Sequence, residues 1–210
     1  MRKNKYLGDQ FMLQHTVGIL TSPVATWRKL AEMDEHGRAI MLLYPIIWAI
    51  APAVAWYFGT AHVGWNVGDD HRVRLTVGSA TVISFLFYTA MVGAVYFIGY
   101  FVHWMSDTYG GQSTLTKGML VASVTATPMF VLGLSGFYPE LWVDLLVGVA
   151  ALSWSVYLLY TGIPIIMNIP KERGFLFASA LVAVSLVIFI CLLVATTIAW
   201  EYGATPQFVD

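Results

Sequence analysis

Phe175 to Trp200 reads FLFASALVAVSLVIFICLLVATTIAW. No ionic side chain occurs in this run, and Ser179, Ser185, Thr196 and Thr197 are its only polar residues. A helix on the surface of a water-soluble domain keeps a polar face that recurs every 3.6 residues, and none recurs here. Helical hydroxyls can bond to carbonyls of their own helix, so these four do not interrupt the pattern. About 20 apolar residues rising 1.5 Å each cross a bilayer. The run reads as a transmembrane helix.

The remaining charges divide the chain in the same way. Arg38 and Asp69 are separated by 30 uncharged residues, Arg74 and Asp107 by 32, Lys117 and Glu140 by 22, and Asp144 and Lys171 by 26. Spans are predicted near 39–59, 75–102, 117–137, 141–163 and 176–200. The expected fold is all-α, a polytopic membrane protein of five transmembrane helices preceded by short amphipathic helices. The expected organisation is a lead segment over 1–38, a membrane domain over 39–203 and a tail over 204–210.

Composition agrees. Of 210 residues, 58% are hydrophobic and 11% charged, against about 25% charged in soluble domains. Mean hydropathy is +0.70. A net charge of −1 supplies no basic face for nucleic acid. Cys191, the one cysteine, excludes an internal disulfide and a cysteine metal cage. Tyr6–Gln14 contains Gly8, Asp9, Gln10 and Gln14 instead of an apolar core, so a cleaved signal peptide is not expected.

Orientation follows from the basic residues. With five spans, one side holds Arg2, Lys3, Lys5, Arg28, Lys29, Arg38, Lys117, Lys171 and Arg173, and the other only Arg72 and Arg74. The N-terminus is therefore expected in the cytoplasm and the C-terminus outside. Trp56, Trp104, Trp142 and Trp200 fall near predicted span ends, where an indole prefers the headgroup layer. Trp48 and Trp154 sit mid-span and are read as packing residues.

In the lead segment, Thr21-Ser22-Pro23 reads as a helix start, with a hydroxyl cap and a proline in the first turn. Val24, Trp27 and Leu30 (with Ala31) recur at helical spacing, opposite Arg28, Lys29 and Glu32. Leu13, Val17 and Leu20 repeat upstream. Two amphipathic helices are expected, lying on the inner leaflet or docked on the protein's own cytoplasmic ends. Trp27, Arg28, Lys29 and Leu30 are the candidate association surface.

Ionisable groups inside a membrane are costly and point to function. Asp144 follows Glu140 by four residues at the outer start of the fourth span, where a hydrated interfacial pair is favoured over a cation or proton site. His103, beside Trp104, is read as interfacial. His62, Asp69, Asp70 and His71 in the outer loop lack a helical spacing that would fix a metal's geometry, and no metal or cofactor is assigned.

Gly133-Leu-Ser-Gly136 resembles the GxSG segment of rhomboid-type proteases, but those enzymes activate the serine with a later histidine. No histidine follows His103, so Ser135 lacks that base and an intramembrane hydrolase is a remote reading. No P-loop, HExxH or dinucleotide fingerprint occurs. Prolines interrupt the spans at Pro45, Pro52 and Pro128, and Pro164 is expected to end the fourth. Each frees a carbonyl that a neighbour must satisfy in lipid. Ser123, Thr125 and Thr127 stand near Pro128. Kinked, packed helices are favoured there, with a transporter or channel path through Thr125, Thr127, Pro128, Glu140 and Asp144 as the alternative.

Gly18-Ile-Leu-Thr-Ser-Pro-Val-Ala-Thr-Trp-Arg-Lys-Leu30, followed by five spans, resembles the Yip family (Ypt/Rab-interacting proteins), in particular its bacterial inner-membrane branch. His62-Val-Gly-Trp-Asn-Val-Gly68, Thr125-Ala-Thr-Pro-Met-Phe130 and Tyr157-Leu-Leu-Tyr-Thr-Gly-Ile-Pro164 extend the resemblance over roughly residues 15–203. It implies a non-enzymatic inner-membrane module that assembles with lipid, other membrane proteins or copies of itself. The Asp-Leu-Tyr-Gly-Pro string of eukaryotic members is missing, so their link to Rab GTPases is not carried over. No catalytic residue is implied.

Overall fold

The computed structural model describes residues 7–66, 68 and 72–209. Two lead helices, α1 (Leu7–Thr21) and α2 (Pro23–Ala31), precede the membrane domain. Among the described residues, five helices are long and apolar enough to cross a membrane: Glu35–Val63, Val77–Tyr109, Leu115–Phe137, Leu141–Met167 and Lys171–Gly203. They are the first to fifth spans below. Loops of three to thirteen residues by these bounds make neighbours antiparallel.

The spans extend past the predicted limits at most ends, where polar residues complete some terminal turns: Asp34 accepts from Gly37 N at 2.8 Å and Thr114 caps the third span. The second span starts later than predicted, at Val77, behind its cap Thr76. Pro164 does not end the fourth span. The helix continues to Met167 and stops at Asn168, a left-handed residue with φ 52°, where Ile169 N donates to Pro164 O. Proline in the final turns forfeits one ladder bond and kinks the helix; the sign change at Asn168 ends it.

Glycine sets how closely the spans meet. A Cβ on Gly118 of the third span would strike Gly99 O of the second, and a Cβ on Gly99 would lie 2.5 Å from Met119 Sδ. The helices Val77–Ser106 and Leu115–Thr125 pack closely along this crossing, as small residues permit. In the same way Gly174 of the fifth span meets Pro164 of the fourth. Tyr109 stacks on Phe177 with ring centroids 4.8 Å apart, fixing the second span to the fifth.

The buried core runs from α1 and α2 through all five spans. Much of what stays exposed is apolar, including Phe85, Phe97, Leu146 and Val187, as a hydrocarbon surround requires. Trp104, Trp142 and Trp200 are exposed near span ends. Trp56 instead packs against Trp65 (5.2 Å) and Gly136. Trp48 packs on the core, whereas Trp154 faces outward.

On the side away from α1 and α2, strands β1 (Trp65–Asn66) and β2 (Arg72–Val73) pair antiparallel. The tail returns to this loop: Thr76 N donates to Gln207 O (2.8 Å), Val209 N to Arg74 O (2.9 Å) and Gln207 N to Ser79 Oγ (3.0 Å).

Candidate functional site at the proline breaks

The first and third spans are not continuous α-helices. The first has a 3₁₀ turn at Met41–Leu43 and a helical piece, Tyr44–Trp48; a turn at Ala49 then leads into Ile50–Phe58. The third breaks at Ala126, between Leu115–Thr125 and Thr127–Leu132. Pro45 and Pro128 are each the second residue of the piece that follows, where the missing N–H is tolerated best. Tyrosines of the second span serve the first span's backbone: Tyr96 OH donates to Leu42 O at 2.6 Å and Tyr88 OH to Ile46 O at 3.1 Å.

The residues before the two prolines meet. Tyr44 OH lies 2.8 Å from Thr127 Oγ1 and 2.8 Å from Thr16 Oγ1 of α1. Exposures of 1%, 0% and 4% leave the three hydroxyls with one another instead of water. By helical rise, Tyr44 sits about 9 Å in from Arg38, and Thr127 about 15 Å in from Lys117. Of the candidate path residues, Thr127 and Pro128 are buried at this junction. Thr125 Oγ1, like Ser123 Oγ, is buried without a hydrogen-bond partner among the described residues.

Glu140 and Asp144 belong elsewhere. Glu140 pairs with Arg72, which also donates to Gly64 O at 3.1 Å and lies over the Tyr138 ring, 4.4 Å from its centroid. Asp144 Oδ1 accepts from Ser135 Oγ at 2.7 Å. The two carboxylates thus have different partners at the far end of the bundle, and the proposed path residues do not form one constellation. Shallow surface depressions lie elsewhere, beside Lys171–Leu176 and under the tail near Ser79.

Ser135 has a carboxylate within reach, and among the described residues no imidazole is paired with it. Its segment is a packing platform: Gly133 meets Pro52, and Gly136 meets Trp56 and Gly59. His103 lies against Gly118, near the opposite end of the third span. His62 sits 4.9 Å from Phe58, ring to ring. Asp69, Asp70 and His71 lie outside the described residues, and among those described no three His, Cys, Asp or Glu gather as a metal site.

The lead segment packs against the membrane domain. α2 starts at Pro23 as predicted, yet Ser22 makes no side-chain cap bond; Thr26 Oγ1 instead donates to Ser22 O at 3.0 Å. Trp27 and Leu30 are 0% exposed, leaving Arg28 and Lys29 as the outward pair of the four candidate surface residues. Trp27 lies in a notch on the fourth span, where a Cβ on Gly162 would come 2.5 Å from its Cε2. Among the described side chains of α1, Thr16 and Ile19 are buried, while Val17, of the apolar repeat Leu13, Val17 and Leu20, is 60% exposed. The hydroxyl contact of Thr16 to Tyr44 and the close approach of Gly18 to Thr26 go with this rotation of α1.

The family model of the Yip1 domain matches residues 17–192. The chain is 32% identical to the Inner membrane protein YohC of Escherichia coli strain K12 over 191 residues, which is 91% of this chain and 98% of that protein. The protein of the same name from Escherichia coli O6:H1 matches to the same extent. No solved structure matches.

Proposed function

The chain belongs to the Yip1 domain family, and from that membership we propose a non-catalytic inner-membrane module that works by associating with lipid and with other membrane proteins. The relatives' description as inner membrane proteins supports the compartment. The nine-to-two split of basic residues supports a cytoplasmic N-terminus.

One observation carries the association reading. α2 is seated on the fourth span by Trp27, with Leu30 also buried, and presents Arg28 and Lys29 outward from that seat. Cations held at the bundle's edge suit phosphate headgroups or an acidic partner segment. The midsection supports it from the other side: the hydroxyls of Tyr44, Thr127 and Thr16 bond to one another. A transport path needs such groups turned toward water.

Photo-crosslinking from position 24, beside the basic pair, tests the proposal in cells. The expected result is discrete protein or lipid adducts that fade when Arg28 and Lys29 are both replaced by Gln. Only monomer, with no enriched lipid, counts against association. Solute or ion flux in liposomes that changes with Thr127→Val or Asp144→Asn would establish the transporter reading instead.

A further inference from the structure

The two lead helices form one stiff body. Ser22 N donates to Gly18 O at 2.7 Å, and Thr26 Oγ1 bridges back to Ser22 O. A Cβ on Gly18 would sit 2.7 Å from Thr26 Oγ1, so the helices touch closely. This body has two attachments of different kinds. Trp27 fills the Gly162 notch, and its buried Nε1 finds no hydrogen-bond partner among the described residues. The seat therefore holds by shape and apolar burial. Thr16 supplies the second attachment, a hydroxyl contact to the Tyr44 phenol.

That phenol stands where the first and third spans are both interrupted. Pro45 and Pro128 each remove a rung from the helical ladder, and segments short of backbone bonds open at lower free energy than their surroundings. Past the breaks the two spans are clamped together, with Pro52 on Gly133 and Trp56 on Gly136. Each break is thus a joint between stiffer pieces. Tyr44 joins the two joints to each other and to α1.

We propose that the lead pair is a strap across two proline hinges: seated by Trp27 on the fourth span, it holds both breaks closed through Thr16 and the Tyr44 phenol, and unseating it loosens both together. Arg28 and Lys29 are where a partner can take hold of the strap. Binding at the membrane surface then alters the first and third spans at mid-depth. The inference goes beyond association, since it concerns what the membrane domain does once the lead pair moves.

Hydrogen exchange on the purified full chain in detergent micelles tests it, in a Cys191→Ser background with Leu30→Cys as a thiol reporter of docking. Gly162→Leu, which displaces Trp27, should speed maleimide labelling at position 30 by about tenfold, the mark of a weakened seat. It should also raise exchange over both 44–50 and 124–130, while peptides across Gly99 and Gly118 stay protected. Tyr44→Phe should raise exchange at both breaks with position 30 still protected. Faster labelling with either break unchanged makes the lead pair a passenger and overturns the proposal. So does exchange that rises equally across the Gly99–Gly118 crossing. If Gly162→Leu does not fold, Tyr44→Phe decides alone, and unchanged exchange at 124–130 overturns the strap.

Discussion

Tyr44 and Thr127, each the residue before a proline at a break in its own span, hold their hydroxyl oxygens 2.8 Å apart in a fully buried setting. Removing the phenol oxygen leaves Thr127 short of a partner where water is scarce. Tyr44→Phe should cost about 1–3 kcal/mol, measured as a lower unfolding midpoint in bicelles. Because both ends of one hydrogen bond are then absent, adding Thr127→Val should cost less than the sum of the single changes.

Gly118 and Gly93 make opposite predictions. A Cβ at Gly118 strikes the second span's backbone, whereas one at Gly93 meets nothing within 4 Å. Gly118→Ala should push the two spans apart and lower stability. Gly93→Ala should be neutral or stabilising by up to about 1 kcal/mol, because alanine is the better helix former. Equal midpoints for the two variants would contradict the crossing geometry.

Arg72 makes three contacts at once: the Glu140 carboxylate, Gly64 O and the Tyr138 ring. Since the pair is partly exposed, Glu140→Gln should cost under about 1 kcal/mol of global stability. The local effect should be larger, with faster proteolysis of the loop between the first and second spans. Arg72→Lys should not restore protection, because an ammonium cannot reproduce the planar fork and ring contact.

The basic residues predict topology directly. A reporter that fluoresces only in the cytoplasm should stay dark when fused after Asp210, and a periplasm-dependent phosphatase at the same point should be active. Strong fluorescence from that fusion reverses the orientation.

How much of this was legible in the sequence depends on the kind of signal. The five spans were, because uncharged runs such as 174–200 are long, local and unambiguous. Pro45 and Pro128 marked the breaks for the same reason. Partners were not legible. Trp27 and Gly162 are 135 positions apart, and hydrophobic spacing shows that Trp27 wants burial without saying where. Tyr44 was overlooked because a phenol in an apolar run looks like filler until its oxygen has a destination. Arg72 with Glu140, and Ser135 with Asp144, likewise exist only once loops bring span ends together.

The returning tail has a mechanical consequence for the fifth span. Its uncharged stretch, 174–200, is about 40 Å long by helical rise, against a hydrocarbon layer of about 30 Å. A free helix would relieve that mismatch by choosing its own tilt. Here Phe177 and Leu181 are packed at one end, and Gln207 and Val209 are tied to the 74–79 backbone and Ser79 at the other. Inclination is thus set by the polypeptide, and thinner or thicker membranes must deform around it.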